Sequence, residues 1–413
     1  MISRRALLGT ALTATSLSAL AMAGCSAGSS DGPVSVYSWR QEDGDGYRKI
    51  FDIFTQAHAD ITVKFEPFNS TDYDQILATA MQSGDNLDLI QLRPYAGGRE
   101  IADTGDLAPL DDMAELKGFS PESLAAVSGS DGKVYGVPTA QNALITLYNK
   151  EIFDQHKIAR PSTWPEFLDA CAALKKAGLV PIAQSGKAAY LLTILYQAVA
   201  TSALSPAFGK AVDDGSADFT SQEFRDSVQR VLDLKPYVPE SFIGMADDEA
   251  RAMFAQGRAA MYINGDYRIK PLLDLNPKLQ MDYLASLPEA TGPVQLSTGV
   301  DGAYALMASS PRLEQARALL AWMATEEFGS AFATTFSRLS QVPGAKAEDP
   351  LHVKLAEEIA TVGTENPFAR LGGGNPDVKA EFENALQGVL GGQISADELF
   401  AKTQEAYQAS RQR

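Results

Sequence analysis

The stretch that decides the fold runs from Asp131 to Ala173, DGKVYGVPTAQNALITLYNKEIFDQHKIARPSTWPEFLDACAA. It reads as a charged turn, a β-rich run in two pieces (Val134–Val137, then Ala143–Tyr148), a loop and a helix start. Within Ser162-Thr163-Trp164-Pro165-Glu166, Thr163 can cap the first turn, and Pro165 fits there because its missing N–H costs nothing. Glu166 is expected to close a capping box on Thr163. Phe167, Leu168, Cys171 and Leu174 then recur at helical spacing until Gly178 ends the helix. Trp164, heading that helix, reads as packing, and Cys171, on its apolar side, as a buried hydrophobe.

Upstream, Val34–Ser38 alternates like a strand, and Tyr47, Ile50, Phe51 and Phe54 mark an amphipathic helix. Ile61–Phe65 predicts a second strand, Tyr73, Ile76, Leu77, Ala80 and Met81 a second helix, and Leu87–Gln91 a third strand. Such β-α-β-α-β alternation predicts an α/β fold with a parallel sheet. In open α/β sheets ligands bind beyond the carboxyl ends of the strands. The residues there are Trp39, Arg40 and Gln41, then Asn69 and Ser70, then Gln91, Arg93 and Tyr95, with Asp43 close by. They are polar and aromatic.

Downstream, Leu179–Ala183 reads as a strand, Ala188–Ser202 as a helix with Tyr190 near its start, and Thr220–Leu234 as another helix. In Met253–Tyr267, MFAQGRAAMYINGDY, a short strand Ala259–Ile263 is expected to turn at Asn264-Gly265 and present Asp266 and Tyr267 beyond its end. Ser286–Thr298, with Pro288 and Pro293, reads as a connecting segment. Gly299-Val300-Asp301-Gly302 is expected to precede a strand at Ala303–Met307. A helix over Pro311–Ala324, a connection at Ser337–Pro343 and C-terminal helices at Leu351–Ala360, Asp377–Leu390 and Ser395–Ala409 follow. Gln141, Asn142, Gly299, Asp301, Arg338 and Arg370 complete the candidate site residues.

The chain has 413 residues, enough for two domains with separate cores. Its formal net charge of −17 repels nucleic-acid phosphate, so no nucleic-acid partner is expected. Three histidines far apart carry no metal-ligand spacing, and two cysteines are too few for a disulfide framework. Leu371–Asn375, glycine-rich, lacks the lysine and hydroxyl of a phosphate loop. The acid-rich stretches Glu42–Asp45 and Asp247–Glu249 read as solvated caps.

At the N-terminus, Arg4-Arg5 precede a run of Ala, Leu, Thr and Ser that ends in Leu20-Ala21-Met22-Ala23-Gly24-Cys25. Residues 1–24 read as an export signal. Small residues before Cys25 resemble a lipobox, with Met22 where leucine is usual; Cys25 would then carry the lipid. Ser3–Leu8 also resembles a twin-arginine export motif, beside the ordinary secretory route. Each acyl chain adds about 0.8 kcal/mol per buried CH₂, so an acylated cysteine would hold the protein at the membrane's outer face. Residues 25–33, with their serines and glycines, read as a flexible tether.

Two blocks carry a family resemblance. DGKVYGVP…LYNKEIF…PSTWPEF, and Phe254-Ala255-Gln256-Gly257-Arg258-Ala259-Ala260-Met261 leading to Gly265-Asp266-Tyr267, resemble the signatures of the extracellular solute-binding proteins of sugar ABC transporters. The resemblance implies the periplasmic-binding-protein fold: two α/β lobes joined by three crossings, with the ligand cleft between them. It places residues 34–140 and 296–340 in the first lobe and 141–295 and 341–413 in the second. It also implies a monomer without cofactor or catalysis that captures a neutral di- or oligosaccharide for a permease. The family usually has tryptophan at the position of Tyr267, stacking on a sugar ring; tyrosine keeps a π-face. Two other classes stay open on the residues alone. One is a secreted glycosidase, since acids and aromatics also line such clefts. The other is the same fold around a polyamine or glycerol phosphate, the latter wanting converging cations.

Overall fold

The computed structural model describes residues 32–70, 72–83, 87–365, 367–372 and 376–412, so Cys25 and the leader lie outside the described residues. Strand β1 (Val34–Ser38) buries Val34 and Val36, and the helix Gly44–Ala57 packs Tyr47, Ile50, Phe51 and Phe54 into the core. β2 (Val63–Pro67) and β3 (Leu89–Leu92) pair in parallel with β1. Both start two residues later than expected, because Ile61 and Leu87 are buried before the hydrogen-bonded ladder begins.

The decisive stretch departs from its reading in one respect. Of its first β piece only Val137 is in a strand, Val134 making an isolated bridge to Ser128, while the second piece lies wholly within β4 (Val137–Asn149). The chain continues through β5 (Val180–Ala183), β6 (Ala259–Gly265), β7 (Met281–Leu284), β8 (Leu296–Leu306), β9 (Leu339–Ser340) and β10 (Gly363–Glu365). The sheet runs β2-β1-β3-β8-β4-β6-β5, with β7 and β9 on β4 and β10 on β8. Gly299–Gly302 therefore lie inside a strand rather than before one, and Asn264-Gly265 close β6 without turning. Burial explains both: β8 and β6 pass through the middle of the molecule, where every backbone polar group needs a ladder partner.

Thr163 caps the helix Trp164–Lys176, its hydroxyl accepting the Glu166 amide at 3.4 Å. The expected box is displaced: the Glu166 carboxylate accepts the amide and hydroxyl of Ser162, both at 2.8 Å. Gly178 adopts φ +80°, the left-handed conformation that ends helices. Trp164 and Cys171 are buried. The helices Ala96–Asp103, Pro206–Asp214, Asp247–Ala255 and Glu326–Phe336 were not legible, their apolar faces being short or interrupted by small residues. Among the described residues no single helix is long and apolar enough to cross a membrane.

Apolar side chains gather on both faces of the two ends of this sheet. At one end Tyr47, Phe54, Phe65, Leu306 and Phe332 pack on one face, and Tyr73, Ile90, Leu92 and Ala303 on the other. At the other end Phe167, Cys171, Tyr196, Phe224 and Phe382 form one cluster, and Ile145, Phe254, Tyr262 and Leu355 another. β4 and β8 run antiparallel through both ends, from Val137 opposite Tyr304 to Leu144 opposite Ser297. The last passage is stepwise: Leu339 packs with the far cluster, Val342 returns to the near one, and Leu351 and Leu355 go over.

The Asp88–Arg312 ion pair is buried inside the first lobe. Asp88 is fully buried and accepts the Ser35 amide at 2.8 Å, the Ser310 hydroxyl at 2.6 Å, and Arg312 through Nε at 2.9 Å and Nη2 at 2.8 Å. It joins β1 and β3 to the start of the helix Leu313–Met323. Removing one partner of such a pair leaves a buried charge uncompensated. Asp88→Ala is expected to cost about 3–5 kcal/mol in urea unfolding; a loss below about 1 kcal/mol would assign the pair no structural weight.

Candidate functional site

A cavity of about 570 Å³ opens between the two ends of the sheet, against the β4–β8 ladder. Of the expected site residues it gathers Trp39, Arg40, Arg93, Tyr95, Asn142, Tyr190, Tyr267, Gly299 and Asp301. The first four follow the carboxyl ends of β1 and β3, Tyr267 follows β6, and Asn142, Gly299 and Asp301 belong to the two shared strands.

Other expected residues do not border this cavity, each for a physical reason. Gln91 is buried, its Oε1 accepting the Ser38 hydroxyl at 2.6 Å and its carbonyl the Tyr73 hydroxyl at 2.7 Å. Asp43 pairs with Arg338 inside the first lobe, where burial raises the carboxyl pKa against the pull of the guanidinium. Gln41 lies exposed in a short 3-10 turn, and Asn69 and Ser70 are exposed on the loop after β2, where the Ser70 carbonyl accepts Arg93 Nη2 at 2.9 Å. Gln141 is held through its backbone between Leu339 and Val300. Arg370 borders a second cavity and lies 3.3 Å from Asp213. Asp266 is buried, its Oδ1 accepting the Ala143 amide at 2.8 Å.

Several of the cavity's charges are paired. Arg40 pairs with Asp301, which also accepts Asn142 Nδ2 at 3.3 Å. Arg93 binds Asp74 at 2.9 Å and lays its guanidinium 4.8 Å from the Trp39 ring centroid. Lys379 lies 3.7 Å from Glu383. Burial raises the Glu383 pKa, with Lys379 pulling the other way, and its buried Oε1 has no hydrogen-bond partner among the described residues. Trp39 packs edge-on against Tyr73 at 5.6 Å and is mostly buried, so only part of its ring borders the space.

Tyr267 is set by what surrounds it. A Cβ on Gly265 would lie 2.1 Å from the Tyr267 ring, so only glycine leaves room for that ring over the strand end. Arg268 lies 5.4 Å from the ring centroid and binds Asp247 at 2.6 Å. Asp247, expected as a solvated cap, also accepts the Tyr262 hydroxyl at 2.6 Å and Asn264 Nδ2 at 3.0 Å. Burial pushes the Tyr267 hydroxyl pKa up, so the ring is neutral at physiological pH.

Sequence reading missed Thr193, Ile194, Gln197, Lys379, Ala380 and Glu383, all bordering the cavity. A signal existed for the first three: with Tyr190 they fall at i, i+3, i+4 and i+7, one stripe of the otherwise apolar helix Tyr190–Ala200. The helix Val378–Leu390 offers no comparable signal, its cavity-facing residues being of ordinary surface type.

His352 backs the Asp266 contact. It is fully buried, with Nε2 3.4 Å from Asp266 and Nδ1 3.0 Å from Asp349. Burial alone would lower its pKa, but the two carboxylates outweigh that and raise it from 6.5 to about 9. The folded pKa exceeds the unfolded one, so this stabilisation is full below pH 6.5 and lost as pH rises through about 9. Chemical denaturation should show stability falling over that window by on the order of 3 kcal/mol. His352→Gln should remove most of that decline; an unchanged pH profile would show that His352 does not carry it.

A family profile described as "Bacterial extracellular solute-binding protein" matches residues 37–329. Among curated relatives, the melibiose/raffinose/stachyose-binding protein MelE of Bacillus subtilis is 25% identical over 372 residues, covering 86% of each chain. The mannitol-binding protein of Pseudomonas aeruginosa is 23% identical over 391 residues, covering 87% of this chain and 88% of its own. A solved chitin oligosaccharide binding protein superposes with TM-score 0.77 at 22% identity, over 92% of this chain and 99% of that one. RafE in complex with raffinose superposes with TM-score 0.75 at 18% identity, over 92% and 100%. The two-lobe fold and the matched length agree: the chain belongs to the bacterial extracellular solute-binding proteins.

Proposed function

We propose that this protein captures a neutral di- or oligosaccharide in the cleft between its lobes and delivers it to the permease of an ABC importer, without catalysing a reaction. The observation that carries this reading is the combination of aromatic surface with internally paired charge. Tyr95, Tyr190, Tyr267 and part of Trp39 offer π-faces to the C–H faces of sugar rings. Arg40, Arg93 and Lys379 each lie beside a carboxylate, so among the described residues the cavity's cations are not free to converge on a phosphate ester. Asp301 is matched likewise by Arg40, which weakens its pull on a polyamine. What remains are polar groups suited to hydroxyls, such as Asn142, Thr193 and Gln197. Lobe closure follows where contacts from both sides are satisfied together, and the closed form is what a permease would recognise. Relatives named for melibiose, raffinose and stachyose, or for multiple sugars, support the sugar class.

The division at residues 140/141, 295/296 and 340/341 is part of this reading, as are the roles of the cavity residues. So is export by residues 1–24, with Cys25 lipidated and residues 25–33 as the tether at the outer face of the membrane. Cys25→Ala should move the protein from the membrane fraction to the soluble one; a variant that fractionates like the wild type would remove the anchor.

Burial of a tyrosine face against a sugar ring is worth about 1–3 kcal/mol, or roughly 5- to 150-fold in affinity. Calorimetry on Tyr267→Ala, with the sugar that a thermal-shift panel selects, should show that loss with little change in the melting temperature of the free protein. Gly265→Ala should weaken the same sugar, since the added methyl displaces the Tyr267 ring. Wild-type affinity in Tyr267→Ala would leave this tyrosine as packing only.

A further inference from the structure

The cleft continues past the first cavity. A second chamber of about 590 Å³ lies between the first-lobe helix Ala96–Asp103 and the second-lobe residues around Val212, Leu371 and Tyr407. Tyr95, Ala96 and Gly372 border both chambers, so the two spaces meet at one waist. The waist has a built feature. Tyr95 has φ +65° and ψ −132°, a conformation that non-glycine residues avoid. It is held there from two sides: its amide donates to the Ala126 carbonyl at 2.6 Å, and its hydroxyl accepts the Val300 amide at 3.1 Å. The strain puts an aromatic side chain at the junction, a pattern that marks functional sites. Beyond it the second chamber has an apolar floor and a charged rim that includes Arg99 and Asp103. Apolar surface beside polar groups is again the chemistry of a sugar face and its hydroxyls.

We infer that the ligand runs from the first chamber past Tyr95 into the second, so that the cognate solute is an oligosaccharide of at least three rings. This rests on the sugar reading above. A solute filling only the first chamber would leave a contiguous space of equal size unused, whereas each chamber alone is already in the size range of a small-molecule site. The strained Tyr95 is fixed to strand β8, which lines the first chamber, through its hydroxyl.

The test is calorimetry of the full exported chain with two-, three- and four-ring members of three series: α-galactosyl sucrose oligosaccharides with melibiose, α-1,4-glucosyl and β-1,4-xylosyl oligosaccharides. In the series that binds, affinity should rise by about tenfold or more from two rings to four. Ala125→Trp, at an exposed position lining only the second chamber, should abolish that gain and leave two-ring affinity unchanged. Arg99→Ala should reduce the gain in the same length-dependent way. Affinity independent of length in the wild type, or a loss equal for all lengths in Ala125→Trp, overturns the inference while the sugar reading stands. Binding of no member of any series overturns the sugar reading and this inference with it.

Discussion

The antiparallel pairing of β4 with β8 is the constraint on which the rest depends. From Val137 opposite Tyr304 to Leu144 opposite Ser297, one ladder belongs to both halves of the sheet. β3 continues the first half from β8, and β6 the second half from β4. Near Ala140 the register shifts twice, beside Pro138, which has no N–H to offer. The backbone groups freed there are taken up by the chain's last passage: Gln341 donates its amide to the Thr139 carbonyl at 3.1 Å, and β9 pairs with Ala140 and Gln141. A bulged ladder bends more readily than a regular one. Its irregular point falls where the chain passes from one lobe's core to the other's.

Placing the cleft against that ladder has an electrostatic consequence. Asn142, Gly299 and Asp301 reach the cavity from the hinge strands themselves, so their positions depend on neither lobe alone. Asp301 neutralises Arg40, and Asp266 fixes the Ala143 amide of the same strand from behind Tyr267, with His352 as its counter-charge. Around the cavity, ion pairs offset part of the charge. Aromatic rings and amide or hydroxyl groups are left to face the space.

Tyr267 shows how local chemistry and tertiary support divide the work. Gly265 clears the space for its ring, and Arg268, tied to Asp247, lies against it. Asp247 resembles a surface cap because helices begin with acids. It is a support because Tyr262 and Asn264 project toward it from β6.

The sequence by itself determined those elements whose hydrophobic period and caps are locally clear: the β1 alternation, the Gly44–Ala57 stripe and the Thr163–Gly178 punctuation are all present in the structure. It also determined Trp39, Arg40, Arg93, Tyr95 and Tyr267 as cavity-lining residues, because ligand sites in such sheets follow strand ends. Only the tertiary structure decided that Gln91, Asp43 and Asp266 turn inward to buried partners, and that Thr193, Gln197 and Glu383 face the cleft. Those residues differ from ordinary core or surface positions only through contacts made across tens to hundreds of residues of chain. Pattern and spacing carry local preference, whereas the side of a strand or helix that meets the other lobe is set by how the two long strands are paired.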